Sequence, residues 1–483
     1  MVAFRFRLAA ITALLPASMV VALTCSPGET HTLPLIYLPD RAAQDAAHRF
    51  DGFGVSLRVT DIARHESALR ELGLTHVRFE PGPSWAYINP PPGPAPSAAE
   101  IAAFVRANFD HDGPRSAELA NAARILNRHA IQSILINYHV PFAWLSRDAE
   151  RRLLPGGEER VAALWLATLD YLRDRLEFQP EYIEITNEPD GFWNGHIPPD
   201  RYYNTVRILR ARLDHSGHAR VGIVGPGISN LNQNELGFRW VRASDATSRA
   251  ALAGWSFHAW DEAYRPISQP RFVHRSWQRL RAELNRVNQQ PRRPVLLTEF
   301  ATDITRFGNR SYYSNLSTAL YTAVETEQYA ARVLANALIH ISNGVSVPVL
   351  WRLTDYPDDA RSWGLISSTE AGSYRRPVYE LLRRVRPAMP VGSQVVPRRY
   401  PARFSRPALL LRDENTLHLL TSNHADQPAR QAIHFAGGHR ITPNTRRCLR
   451  FRDLNASCTP GLQQSAPDRI TVEIPARSVA LLR

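Results

Sequence analysis

The chain contains no lysine. All 58 of its basic side chains other than histidine are arginine, against 45 acidic residues, for a formal net charge of +13. The arginines are scattered and form no basic block, which reflects composition bias and speaks against a nucleic-acid partner. The excess charge still allows a basic mouth that attracts acidic sugars. Cysteine is scarce, at three residues. Cys448 and Cys458 lie close together near the C-terminus; in an oxidising compartment they would pair as a disulfide, and two cysteines alone do not make a metal site. No glycine-rich phosphate loop follows the first predicted strand, which argues against a nucleotide-binding sheet. There is no internal repeat, and no transmembrane hairpin beyond the N-terminus. The one long apolar run, residues 8–23, follows Arg5 and Arg7 and matches a secretory signal or an uncleaved membrane anchor. Residues 22–25, Ala-Leu-Thr-Cys, resemble a lipoprotein attachment box only faintly, because Leu and Thr stand where small residues are expected.

What is present is ordinary for a soluble globular protein: 44% hydrophobic and 21% charged residues, which excludes disorder and a multi-span membrane protein. At 483 residues the chain exceeds one average domain. A barrel of about 250 to 350 residues with a smaller companion accounts for the length.

The organising stretch is residues 183–190, Ile-Glu-Ile-Thr-Asn-Glu-Pro-Asp. Ile183 and Ile185 alternate as in a short buried strand, and Pro189 cannot extend a hydrogen-bonded ladder, so Glu188 falls where strand gives way to loop. Residues 295–298 repeat this build, an apolar strand with Glu299 at its end. The two glutamates are about 110 residues apart, roughly three strand-helix units.

Strand signals occur at 53–57, 75–80, 131–139, 183–188, 220–225, 255–260, 294–300 and 347–353. Helix signals alternate with them at 61–72, 116–129, 158–177, from 200, 276–287, 325–342 and 379–385, with Asp61 as cap and Gly73 as terminator of the first. Eight such units predict a parallel (β/α)8 TIM barrel, although fewer units would suit a doubly wound sheet. A proline-rich insertion at 90–96 follows the second strand and would overhang the active face. From about residue 390 the texture changes to short alternating runs, an all-β module. The expected organisation is a signal or anchor at 1–25, an irregular segment at 26–48, the barrel at 49–388 and a β-sandwich at 389–483.

Two carboxyls at one end of a barrel suggest cleavage of a glycosidic bond, which with retention needs one carboxyl to protonate the leaving oxygen and another to attack the anomeric carbon. The acid should be the group whose pKa is raised by its neighbour's charge. Asn187 can offer its amide to a sugar hydroxyl.

Asn187-Glu188-Pro189 and Thr298-Glu299-Phe300 at two strand ends resemble clan A of the retaining glycoside hydrolases. Within that clan, family 39, which includes β-xylosidases, α-L-iduronidases and exopolysaccharide endoglycosidases, is the most similar. The supporting stretches are 77–79, 140–145, 257–260, 350–355, 363–366 and 376–379, and the similarity spans residues 50–386. The resemblance implies Glu188 as acid/base and Glu299 as nucleophile, with Arg78, Asn187, His258 and Trp351 lining the first subsite. It implies no cofactor and no metal. The chain departs from the family's xylosidases at Glu80, where they carry histidine, and at Asn137 and His139, where they carry an acidic residue and a phenylalanine.

His139 and Trp260 complete the candidate substrate contacts. Trp85 and Trp193 sit on loops above the mouth, and Asp190 and Asp303 read as hydrogen-bond orienters. The leading expectation is an exported, endo-acting retaining glycosidase for a polysaccharide or oligosaccharide. Its alternatives are an exo-acting xylosidase or uronidase, a catalytically silent carbohydrate-binding barrel, and a metal-dependent hydrolase built on His139 and His258.

Overall fold

A computed structural model of the chain describes residues 31–38, 48–82, 93–111, 113–231, 235–261, 270–287, 293–302, 324–355, 363–369, 372–396, 408–413, 416–423, 428–435, 446–451, 453–466 and 469–482. The N-terminal apolar run with Cys25, the prolines at 90–92, Trp85 and Asp303 lie outside the described residues.

Strand β1 (His31–Leu38) comes first and is followed by the barrel strands β2 (Gly54–Ser56), β3 (His76–Phe79), β4 (Gln132–Ile136), β5 (Tyr182–Glu184), β6 (Gly222–Ile228), β7 (Gly254–Asp261), β8 (Val295–Thr302) and β9 (Val347–Trp351). All neighbours are parallel, and β9 pairs back to β2 to close the ring. The lower barrel is filled by inward side chains of Ile134, Val224, Leu296, Val347 and Val349. Alternate residues such as Leu135, Ile183 and Leu297 face outward into the helix layer.

The helix Gly157–Leu176 shows how that layer is held. Glu158 and Glu159 open it and Arg173 and Arg175 end it, complementing the helix dipole. Val161, Leu164, Trp165, Leu169 and Leu172 bury one face, and Trp165 Nε1 donates to the Ile185 carbonyl at 2.8 Å. That bond fixes the backbone three residues before Glu188.

Local readings needed correction in several places. The helix expected over 61–72 is two short helices, Val59–Arg64 and Glu66–Glu71. Asp61 is not the N-cap residue, which is Arg58: it is buried at the third helical position, where its carboxylate accepts from the Arg58 backbone N–H and side chain, and from Thr354 Oγ1 at 2.6 Å. Gly73, at φ 57°, does follow the second helix. The strand read over 131–139 ends at Ile136, and β5 ends at Glu184, four residues before Glu188. β8 runs on to Thr302, so Glu299 sits within its strand rather than at its end.

The stretch at 26–48 is not irregular throughout, because β1 runs parallel to β15 (Ala429–Phe435) near the other end of the chain. Before β15 come the rim hairpin β10 (Ile366–Thr369) and β11 (Gly372–Arg375), then β12 (Gln394–Val395), β13 (Ala408–Asp413) and β14 (Thr416–Asn423). After it come β16 (Arg446–Arg450), β17 (Asp453–Cys458), β18 (Gly461–Ala466), β19 (Arg469–Ile474) and β20 (Ser478–Leu482). They form a six-stranded sheet β12-β13-β14-β20-β16-β17 and a four-stranded sheet β1-β15-β19-β18, a β-sandwich. The sequence did not suggest β16, β17 or β18. Cys448 and Cys458 oppose each other across β16 and β17 and are disulfide-bonded.

Period-two alternation on β13 buries both faces: Ala408 and Leu410 join the core between the sheets, while Leu409 and Leu411 join the barrel's core. Ser342 Oγ, at the end of the helix Glu327–Ser342, donates to the Ala408 carbonyl at 3.0 Å.

Candidate active site

A polar layer crosses the barrel above its apolar floor. Arg78 of β3 is fully buried and projects to the axis. Its Nε donates to Glu184 Oε2 (3.0 Å), Nη1 to Glu299 Oε2 (3.0 Å) and Nη2 to Asn187 Oδ1 (2.7 Å). Glu184, at the inward position of β5, also accepts from Ser256 Oγ (2.6 Å) and Thr298 Oγ1 (2.7 Å). A buried ion pair survives when its remaining lone pairs are filled, and these hydroxyls fill them.

Glu188 stands above this layer on a left-handed residue, φ 47°. The turn is held by Asn187 N donating to the Asn137 carbonyl and Glu188 N to the Gly227 carbonyl, both 3.0 Å. Glu188 Oε1 lies 3.2 Å from His258 Nδ1, and Trp193 Nε1 donates to Oε2 at 2.5 Å. Glu299 Oε1 accepts from Trp260 Nε1 at 2.6 Å. Donor atoms of Glu188, His258 and Glu299 all lie within 4.8 Å of one another.

Those three groups would also bracket a cation, but Arg78 already sets a fixed positive charge 3.0 Å from Glu299 Oε2 and 3.4 Å from His258 Nε2. With Arg78 donating to Nε2, the neutral His258 ring carries its proton on Nδ1 and donates to Glu188. His139 does not join the cluster of groups around the two glutamates among the described residues. Its backbone N–H donates to Asn137 Oδ1 and its ring lies 6.5 Å from Phe142.

The order of the two carboxyl pKa values is the reverse of the expected one. Burial pushes Glu299 above the usual carboxylate range, and the charge of Glu188 adds to this against the pull of His258 and Arg78. Burial works on Glu188 too, but the hydrogen bond and charge of His258, with Trp193 and Arg78, bring it below the ordinary value. His258 is held above its ordinary value by Glu299 and Glu188 in spite of burial. In the resting site Glu188 is thus the better-stabilised anion.

Aromatic rings line the mouth. Trp260 and Trp351 meet edge to face at 6.1 Å, Tyr138 meets Trp351 at 6.3 Å, and Arg78 lies 5.6 Å from the Tyr138 ring. Asp190 accepts from Ser229 N and Oγ, an orienting contact with the neighbouring loop. Of the residues singled out in the sequence, Arg78, Asn187, Glu188, His258, Trp260 and Glu299 form one hydrogen-bonded cluster, with Trp351 beside it. The sequence did not point to Glu184, Ser256 or Thr298. The available signal was a carboxylate at the inward position of a buried strand, which requires partners.

No family model matches the chain, and no curated protein matches it by sequence. Solved structures do match in fold. A family 30 subfamily 8 glycoside hydrolase, the xylanase Xyn30A of Clostridium acetobutylicum, aligns at TM-score 0.60 with 13% identity over 93% of this chain and 98% of that one. The family 51 α-L-arabinofuranosidase AbfB of Bifidobacterium longum aligns at 0.57 with 14% identity, over 92% and 98%. A conserved exported protein of Bacteroides fragilis aligns at 0.63 with 12% identity, over 93% and 100%. The chain thus shares the barrel-and-sandwich fold of these proteins. No helix among the described residues is long and apolar enough to cross a membrane.

Proposed function

We propose that the protein is a retaining O-glycoside hydrolase of clan A, with Glu299 as nucleophile and Glu188 as acid/base. The observation that carries this reading is the approach of a carboxylate oxygen of Glu188, in the loop after β5, to within 4.8 Å of one from the buried Glu299, on β8, across one barrel mouth. About 5 Å is the separation of the retaining mechanism, whereas inversion leaves room for a water between carboxyls about 6.5 to 9.5 Å apart. Both oxygens of Glu299 are held, by Arg78 and Trp260, so the attacking carboxylate is oriented before substrate arrives.

In the first step a Glu299 oxygen bonds the anomeric carbon while the glycosidic C–O bond breaks. Glu188 gives its proton to the leaving oxygen. In the second, Glu188 takes a proton from water as the water oxygen attacks the anomeric carbon and the bond to Glu299 breaks. Asn187 Oδ1 is engaged by Arg78, which turns the amide NH2 group toward substrate.

The substrate we assign is a polysaccharide or oligosaccharide, cleaved internally, since aromatic rings extend along the mouth and solved neighbours in fold include xylanases and an endo-β1,6-glucanase. Placement in family 39 rests on the motifs around Glu188, Glu299 and residues 350–379. Export rests on the apolar run behind Arg5 and Arg7, in keeping with the exported neighbour from Bacteroides.

The test is a screen of polysaccharides and aryl glycosides, acidic exopolysaccharides included, with product sizing. Glu188→Gln and Glu299→Gln should each lower turnover about 10³-fold or more on the natural substrate, and a fluorosugar should label Glu299. Near wild-type turnover in either variant, or an adduct elsewhere, refutes the roles.

A further inference from the structure

Two large aromatic side chains stand in water at the edge of this site. Phe192 is 58% and Trp193 44% exposed, their rings edge to face at 5.3 Å. Exposing that much apolar surface forfeits burial that folding would otherwise use. Trp193 is also held in place. Its indole packs on Gly191, where an added Cβ would meet the ring, and its Nε1 donates to Glu188 Oε2.

The two oxygens of Glu188 therefore face different surroundings. Oε1 looks to His258 and, through it, to Arg78 and Glu299; Oε2 looks to Trp193. A carboxyl that protonates a glycosidic oxygen stands between the sugar being attacked and the group that departs. The attacked sugar must lie over Glu299, so the Trp193 side is the leaving-group side.

We propose that Phe192 and Trp193 form the leaving-group subsite, taking a pyranose ring on their exposed faces. We further propose that filling it is coupled to proton uptake by Glu188, because the indole that meets the sugar also holds the carboxylate. The inference rests on the glycosidase reading above. An N–H donor favours the ionised carboxylate. When a sugar draws the indole into stacking, that bond weakens, and Glu188 takes a proton from solvent, which it then delivers to the departing oxygen. The other groups that act on Glu188, His258 and Arg78, stay in place, as does Asp190, on which the Glu188 charge acts. An aglycone sugar in this way prepares its own acid, and the reversed pKa order describes the empty site.

Two variants separate the parts of the proposal. Trp193→Phe keeps a ring and removes the N–H; Phe192→Ala removes half of the platform and keeps the bond. The probes are the glycosyl fluoride of the sugar that the wild type releases, whose leaving group needs no acid and fills no subsite, and the matching trisaccharide. Phe192→Ala should lose at least about tenfold more kcat/KM on the trisaccharide than on the fluoride. Trp193→Phe, which keeps a ring and already frees Glu188 of the N–H, should keep its trisaccharide-to-fluoride ratio within about threefold of wild type. In the resting Trp193→Phe protein, the Glu188 carboxyl followed by 13C NMR should titrate about half to one pH unit higher than in the wild type.

Equal losses of Phe192→Ala on the two substrates overturn the subsite, and an unmoved or lowered Glu188 titration in Trp193→Phe overturns the coupling. Wild-type protein inactive on every fluoride and oligosaccharide of a broad panel sinks the glycosidase reading and this inference with it. Active wild type with an unselective Phe192→Ala sinks the inference alone.

Discussion

Thr298 and Glu299 are neighbours on β8, yet both turn toward the barrel axis. Thr298 Oγ1 donates to Glu184, and Glu299 accepts from Arg78 and Trp260. Simple alternation would send one of them into the helix layer. The register explains the exception: Phe257 pairs with Leu297 and His258 with Glu299, so Thr298 is an extra residue in β8, a bulge. The β8–β9 ladder shifts at the same place. One inserted residue lets the polar layer and the nucleophile sit side by side.

Arg78 is the hub of that layer, since its planar fork reaches Glu184, Glu299 and Asn187 at once. Lysine offers a point charge and cannot span three acceptors. Arg78→Lys should lower kcat about 100-fold or more and lower the melting temperature, because Glu184 would lose part of its partnership while buried. Steady-state kinetics and a thermal melt check this; a variant with unchanged kcat would remove Arg78 from the catalytic arrangement.

The raised pKa of Glu299 comes first from burial and then in part from the negative charge of Glu188. The nucleophile must be ionised, so its pKa sets the acid limb of kcat/KM. Replacing Glu188 by Gln removes the neighbouring charge and lets Glu299 ionise at lower pH. With an activated aryl glycoside, whose leaving group needs no proton, the acid limb of Glu188→Gln should move down by about half to one pH unit. An acid limb that stays fixed or moves up would show that the two carboxyls are not coupled.

Glu80 follows β3, and its Oε1 is sealed from solvent without a hydrogen-bond partner. Burial pushes its pKa up to about 8, with the charge of Arg115 opposing. A carboxyl raised on folding contributes stability below its unfolded pKa, near 4.5, that is lost as pH rises toward 8. Glu80→Gln cannot ionise. Its melting temperature relative to wild type should therefore climb by about 2 to 5 °C between pH 5 and 8. Parallel curves for the two proteins across that window would mean that Glu80 ionises freely in the folded state.

The sequence by itself determined the alternation of strands and helices, the loop setting of Glu188 just past a buried strand, and the apolar face of helices such as Gly157–Leu176. Each follows from local rules: side-chain period and the missing N–H of Pro189. Three things were decided only by the tertiary structure. The stretch 31–38 became a strand because an edge near the C-terminus offered it hydrogen bonds, which no local pattern records. The polar layer of Arg78, Glu184, Ser256 and Thr298 exists because closing the ring brings four strands' inward positions within bonding distance. The order of the two carboxyl pKa values was likewise set by position, since Glu188 received His258 and Trp193 as donors while Glu299 was buried deeper. Electrostatic energies depend on distance and dielectric in three dimensions, and spacing along a chain fixes neither.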